Sequence, residues 1–104
     1  MPEPIASFFD SVNAHDGQAF LDAFTEDGVV DDWGHRVAGR DGIDAWSAVA
    51  FIGSRPTFVA EDVLIADGRV IVDGDWRSGY VSGPSRFDFE ITGGKIAKMT
   101  ISEG

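Results

Sequence analysis

Residues Phe9–Trp46, FDSVNAHDGQAFLDAFTEDGVVDDWGHRVAGRDGIDAW, change their hydrophobic rhythm repeatedly, and the order of those changes decides the fold. Phe9 and Val12 continue an apolar face that starts at Ile5 and Phe8, at helical spacing. Asn13-Ala14-His15-Asp16-Gly17 interrupts that face, and His15 reads as a surface or helix-end residue. Asp16 is placed to cap a second, short helix whose inner side is Phe20, Leu21 and Phe24. Thr25-Glu26-Asp27-Gly28 carries turn chemistry and is expected to end that helix. Val29-Val30-Asp31-Asp32-Trp33 then reads as a strand entering a Gly34-His35 turn, with Arg36-Val37-Ala38 as its return. Gly39-Arg40-Asp41-Gly42 leads into a third helix with Ile43, Trp46, Val49 and Ala50 as its apolar face. Asp41 or Asp44 suits the positive end of its dipole.

Outward from this stretch, Pro4 opens the first helix, and Gly53-Ser54-Arg55-Pro56 stops the third. From Thr57 the period becomes two. Phe58 to Ala66 is a strand, and Asp67-Gly68 is a tight hairpin signal. Arg69 to Tyr80 is a long strand, with Val70, Val72, Trp76 and Tyr80 on one face and Ile71, Asp73, Asp75 and Arg77 on the other. Ser82-Gly83-Pro84 is expected to turn the chain. Arg86 to Thr92 alternates Phe87, Phe89 and Ile91 against Asp88 and Glu90. Gly93-Gly94 is another hairpin turn, and Lys95 to Ser102 is the last strand. The class is therefore α+β. A strongly twisted, mainly antiparallel sheet with three helices laid over one face encloses a cone. Its mouth, lined by aromatics, is the default place for a ligand.

Composition narrows the partners. A chain of 104 residues fits one domain. Its apolar content of 43% and aromatic content of 12% rule out a disordered chain. Net charge is -10, from 18 acidic and 8 basic side chains, which repels nucleic acid and anionic membranes. The acids are spread along the chain, as solubility requires; a cationic ligand or partner is the sharper reading of the same charge. No run of 18 apolar residues offers a membrane span. Met1-Pro2-Glu3-Pro4 has neither the basic nor the apolar region of a secretory signal. The lack of cysteine removes disulfide and thiolate chemistry and suits a reducing cytoplasm. Two histidines twenty residues apart give no metal-ligand spacing, and no phosphate loop or dinucleotide glycine pattern is present, so neither metal nor cofactor is expected.

In this order and spacing, "NAHDGQAFLDAF", "FTEDGVVDD" and "VAGRDGIDAW", followed by paired strands, resemble the nuclear transport factor 2-like superfamily, also called SnoaL-like or ketosteroid isomerase-like. The resemblance covers nearly the whole chain. It implies one cystatin-like, cone-shaped α+β barrel over residues 1–104 and no cofactor. It also implies a small apolar ligand and a homodimer formed through the sheet. The fold hosts isomerases, cyclases, epoxide hydrolases, dehydratases and non-catalytic binders, so it does not choose an activity.

The resemblance also places candidate residues. Steroid isomerases of this family carry a proton-shuttling carboxylate at the end of the first strand, and alignment through "FTEDGVVDD" puts Asp32 there. That chemistry needs a carboxylate beside an apolar cavity, where desolvation favours proton transfer. Asp32 equally reads as a turn-capping residue ahead of Gly34. His35, across the turn, is either its acid/base partner or an exposed turn histidine. The family's oxyanion hole uses a first-helix tyrosine and a protonated late-strand aspartate. Here those positions fall at Phe8, which has no proton to give, and near Ser85. Tyr80, the only tyrosine, is the candidate substitute. Asp75 and Arg77 resemble part of the epoxide hydrolase Asp-Arg-Asp set, but they read better as a charged outer face with Arg77 paired to Asp88 or Glu90. Phe8, Trp33, Trp46, Phe58, Trp76 and Phe87 are the expected ligand-contacting walls.

Overall fold

A computed structural model describes residues 1–103. The chain runs α1 (Ile5–Asn13), α2 (Gly17–Asp22), β1 (Phe24–Asp32), β2 (His35–Ala38), α3 (Gly39–Ala50), a 3-10 turn (Ile52–Ser54), β3 (Thr57–Ala66), β4 (Arg69–Arg77), β5 (Ser82–Thr92) and β6 (Lys95–Glu103). The six strands form one sheet in the order β2-β1-β6-β5-β4-β3. Only β1 and β6 run parallel; the other neighbours are antiparallel. The result is three helices on a curved, mostly antiparallel sheet, the cone that the hydrophobic pattern implies.

α1 buries Ile5, Phe8, Phe9 and Val12, the face expected from their spacing. It ends in a left-handed residue, His15 at φ 56°, whose Nε2 meets the Pro56 carbonyl at 2.7 Å. Asn13, the last helical residue, brackets the backbone of Phe58: its Nδ2 donates to the carbonyl (3.1 Å), and its Oδ1 accepts from the amide (2.7 Å). These contacts fasten the helix to the start of β3. Asp16 caps α2 by accepting from the Ala19 amide at 3.1 Å.

Four local expectations need correction. Thr25–Gly28 does not close α2 as a turn. It lies within β1, where five steps from Phe24 to Val29 pass two steps of β6 from Ile96 to Lys98. The turn-forming residues build a bulge rather than a reversal. The β1–β2 loop is Trp33-Gly34, not Gly34-His35, with φ of 54° and 89°. Both residues are left-handed, as a type I′ two-residue hairpin requires. β4 stops at Arg77, so Tyr80 lies in a loop, and Ser82-Gly83-Pro84 runs in β5 opposite Arg77, Trp76 and Asp75. The reversal occurs at Ser78–Val81, where Ser78 Oγ donates to the Val81 carbonyl (2.9 Å) and accepts from its amide (3.2 Å). On α3 the buried face is Ile43, Trp46 and Ser47, while Val49 is 65% exposed.

The period-two expectation for the later strands holds. Val70, Val72 and Trp76 of β4, Phe87 and Phe89 of β5, and Met99 and Ile101 of β6 turn inward and are buried. Outside, Arg86 forks onto Asp73 and Arg69 onto Asp88. Arg77 pairs with Asp75 on its own strand rather than with Asp88 or Glu90. Gly74 is dictated by a close approach: a Cβ there would lie 2.2 Å from the Val59 carbonyl. Among the described residues no helix is long and apolar enough to cross a membrane.

Candidate functional site

Strand register assembles the site. Asp32, the last residue of β1, lies beside Ile101 on β6, and Ile101 faces Phe87 on β5. One step out on the same inner face, Ser85 faces Glu103, and Trp76 on β4 lies opposite Gly83. Helices α1 and α2 do not reach this end of the cone. Beyond it α3 finishes at Ala50, and Phe51 turns inward to lie flat between Trp46 (centroids 4.9 Å, 25°) and Trp76 (4.7 Å, 26°). What these residues leave open is a cleft of about 720 Å³. Phe51, Trp76 and Phe87 form its aromatic floor, and Trp33 and Tyr80 stand at its rim, 62% and 69% exposed.

Asp32 is half-buried at the side of this cleft. Its Oδ2 accepts a hydrogen bond from the Trp46 indole Nε1 at 3.1 Å. Among the described residues no donor engages its Oδ1. The turn-capping role suggested for Asp32 belongs to its neighbour: Asp31 Oδ1 accepts from the Gly34 amide at 2.8 Å. The carboxylate of Asp32 is thus held by one indole and left free to face the apolar space.

The other candidates divide. Trp33, Trp76, Phe87, Tyr80 and Ser85 line the cleft with Asp32. Phe8 and Phe58 do not: Phe8 is sealed among Phe9, Phe20, Phe24 and Phe89, and Phe58 stacks on Phe9 at 4.6 Å. Trp46 touches Asp32 from behind, from a shallow groove between α3 and β2. His35 also borders that groove rather than the cleft, and no hydrogen bond joins it to Asp32 among the described residues, although the two are partners across the hairpin. Asp75 and Arg77 lie on the outer face, bonded to each other. Reading by element missed Phe51, Ile101 and Glu103. Period two through β6 puts Met99, Ile101 and Glu103 on one face and could have found two of them; Phe51 sits where no period runs.

Chemically, the cleft offers one oriented carboxylate, an aromatic floor, and hydroxyls on Ser82, Ser85 and Tyr80. The Ser85 hydroxyl makes only a long bond, 3.5 Å, to the Gly83 carbonyl. Among the described residues no group of three His, Cys, Asp or Glu side chains could hold a metal ion.

Comparison with known proteins adds family and fold. The family model described as the SnoaL-like domain matches residues 5–99. No curated protein matches the sequence significantly. Among solved structures, a candidate polyketide cyclase from Sinorhizobium meliloti superposes with a TM-score of 0.88 at 23% identity, covering 98% of this chain and 95% of that one. A Mycobacterium tuberculosis protein in complex with estradiol-17beta-hemisuccinate gives 0.81 at 18%, covering 96% and 90%. The orange carotenoid protein of Anabaena (Nostoc), binding canthaxanthin, gives 0.83 at 19%, covering 98% of this chain but 36% of that one. At these identities the likeness establishes a shared fold.

Proposed function

The chain belongs to the SnoaL-like domain family, and on that premise we propose that it binds a small apolar molecule in the cleft and moves a proton on it, with Asp32 as base. The observation that carries this reading is the setting of Asp32: a carboxylate at the edge of an aromatic cleft, anchored through one oxygen by Trp46. A base so held needs no reorientation to meet a bound C–H group. In the step, the free carboxylate oxygen takes a proton from carbon next to a carbonyl. The C–H electrons pass to the carbonyl oxygen. In isomerisation they then return through the carbonyl to another carbon, which takes the proton back from the carboxyl group. In cyclisation the enolate carbon instead bonds to a second carbonyl carbon of the ligand, whose oxygen takes the proton. The indole N–H stabilises the carboxylate through a charge-assisted bond. Tyr80 or Ser85 donates to the developing oxyanion. His35 shares the groove behind the cleft with Asp32 but does not line the cleft, and no hydrogen bond joins the two among the described residues, so the step does not use it. Two solved relatives in fold hold polycyclic or polyene ligands, estradiol-17beta-hemisuccinate and canthaxanthin, which supports a ligand of that general class here.

Residues 1–104 serve in this reading as one cytoplasmic domain that needs no cofactor. Its homodimer forms through the sheet, where Val59 and Leu64 of the edge strand β3 leave apolar surface exposed.

The test needs no known substrate. β-Tetralone in heavy water exchanges the hydrogens beside its carbonyl, and magnetic resonance follows the loss of signal. The protein is expected to accelerate exchange, and Asp32→Asn to lose roughly 100-fold or more of that acceleration. Equal acceleration by Asp32→Asn contradicts the assignment. The structure also supports a purely binding role through one observation: the first-helix oxyanion position is Phe8, sealed in the core. Ligand binding without any accelerated exchange selects that role.

A further inference from the structure

The cleft holds a second carboxylate for which the proton transfer has no use. Glu103 lies on the same inner face of β6 as Ile101, opposite Ser85, and lines the cleft with Asp32. Asp32 neighbours Ile101, and Glu103 is two residues further along, so strand spacing sets their Cα atoms roughly 8 Å apart. One acid is at the inner side of the cleft and one at its solvent end. Among the described residues no Lys, Arg or His lines the space between them.

Five of the eight basic residues are occupied elsewhere. Arg69, Arg77 and Arg86 are bonded to aspartates on the outer face of the sheet. Arg40 donates to the Phe24 carbonyl and Lys95 to that of Asp22. The chain as a whole carries a net charge of -10. Charge of one sign, gathered in a cleft with low-dielectric walls, focuses its field there. Trp76, Phe51 and Phe87 supply the apolar wall against which the ring body of a ligand packs.

We infer that the cleft selects ligands that join an apolar ring system to a protonated amine, with the ammonium placed at Glu103 and the ring body against Trp76 and Phe87. The inference rests on the small-ligand reading of the cleft. Glu103 anchors the charge, Asp32 keeps its free oxygen for the ring body, and an anionic ligand of the same shape is repelled by both.

Three probes of matched shape test this: naphthylmethylammonium, naphthalenemethanol and naphthoate. Each is titrated into the isotope-labelled protein at low salt and neutral pH, following the indole N–H signals of Trp33 and Trp76. The ammonium is expected to bind at least about tenfold more tightly than the naphthoate, a difference of about 1.4 kcal/mol, with the alcohol between them. High salt should narrow the gap. Glu103→Gln should weaken the ammonium several-fold and leave the alcohol unchanged. Naphthoate binding as tightly as the ammonium overturns the inference, as does an ammonium affinity indifferent to Glu103→Gln; in either case an alcohol that still binds leaves the small-ligand reading intact. If none of the three moves the Trp33 and Trp76 signals, the reading and the inference fall together.

Discussion

At one end of the cone Phe8, Phe20, Phe24 and Phe89 are no more than 1% exposed; at the other, Trp33 and Tyr80 stand mostly in solvent around an open cleft. The same strands build both ends. β5 supplies Phe89 to the first and Phe87 and Ser85 to the second, and β6 supplies Met99 to the first and Ile101 and Glu103 to the second. The difference lies in the cover. α1 and α2 press a layer of phenylalanines onto the closed end, whose rings meet mostly edge to face at 5 to 6 Å. Over the open end only the C-terminus of α3 and Phe51 extend. An inward-facing sheet residue without a helix above it lines space instead of core, and this contrast makes an ordinary α+β packing into a site.

The largest expected effect falls at the closed end. Phe8→Ala removes a ring sealed by four others and should cost about 3–5 kcal/mol in urea unfolding. A loss below about 1 kcal/mol would show that the closed end is not the better packed of the two. At the open end, Trp46→Phe keeps the stack on Phe51 but removes the hydrogen bond to Asp32. Loss of a bond to a charged group is worth about 1.5–3 kcal/mol. That loss should appear in urea unfolding, while the carboxylate, no longer held toward the cleft, should exchange β-tetralone more slowly with ligand affinity little changed. An unaltered exchange rate would remove Trp46 as the positioning residue.

Trp33→Asn separates the two ends by sign. A bulky aromatic occupies a left-handed hairpin position that favours Asn, and its side chain is mostly in water. The substitution should raise stability by about 0.5–1 kcal/mol while weakening ligand binding several-fold. A destabilised variant would show that Trp33 serves the fold and not the cleft. The smallest effect belongs to the outer face. Hydrogen bonds from Arg86 hold the Asp73 carboxyl below the ordinary aspartate range. The folded value is depressed, so this contribution is complete above the ordinary aspartate range and is lost as pH falls through the folded value. The pair is at the surface, so Arg86→Ala should lower stability at neutral pH by the smallest change of these four substitutions. That difference should vanish in acid; one that persists there would show that Arg86 acts through packing instead.

The closed end was legible in the sequence because each of its elements has its own period. Ile5, Phe8, Phe9 and Val12 announce a helix face, Asp16 a cap, and Phe87 and Phe89 a strand. The open end was legible in part. Asp32, Trp33, Trp76 and Phe87 line the cleft because they end or alternate along strands whose inner face the pattern fixes. Phe8 and Phe58 misled because helices cover one end only, and no local pattern says which end. Ser82-Gly83-Pro84 misled because its turn chemistry is outweighed by Ser78, which ties the true reversal four residues earlier. Phe51 was invisible as a wall, since it follows α3 with no neighbour in phase.

The most direct test of the account is a titration of the protein with naphthalenemethanol, reading its three indole N–H signals by magnetic resonance. The account expects the Trp33 and Trp76 signals to move together and saturate at one affinity, because both rings border the same cleft. A titration that moves only Trp46, beside the α3–β2 groove, or that never saturates, would contradict it.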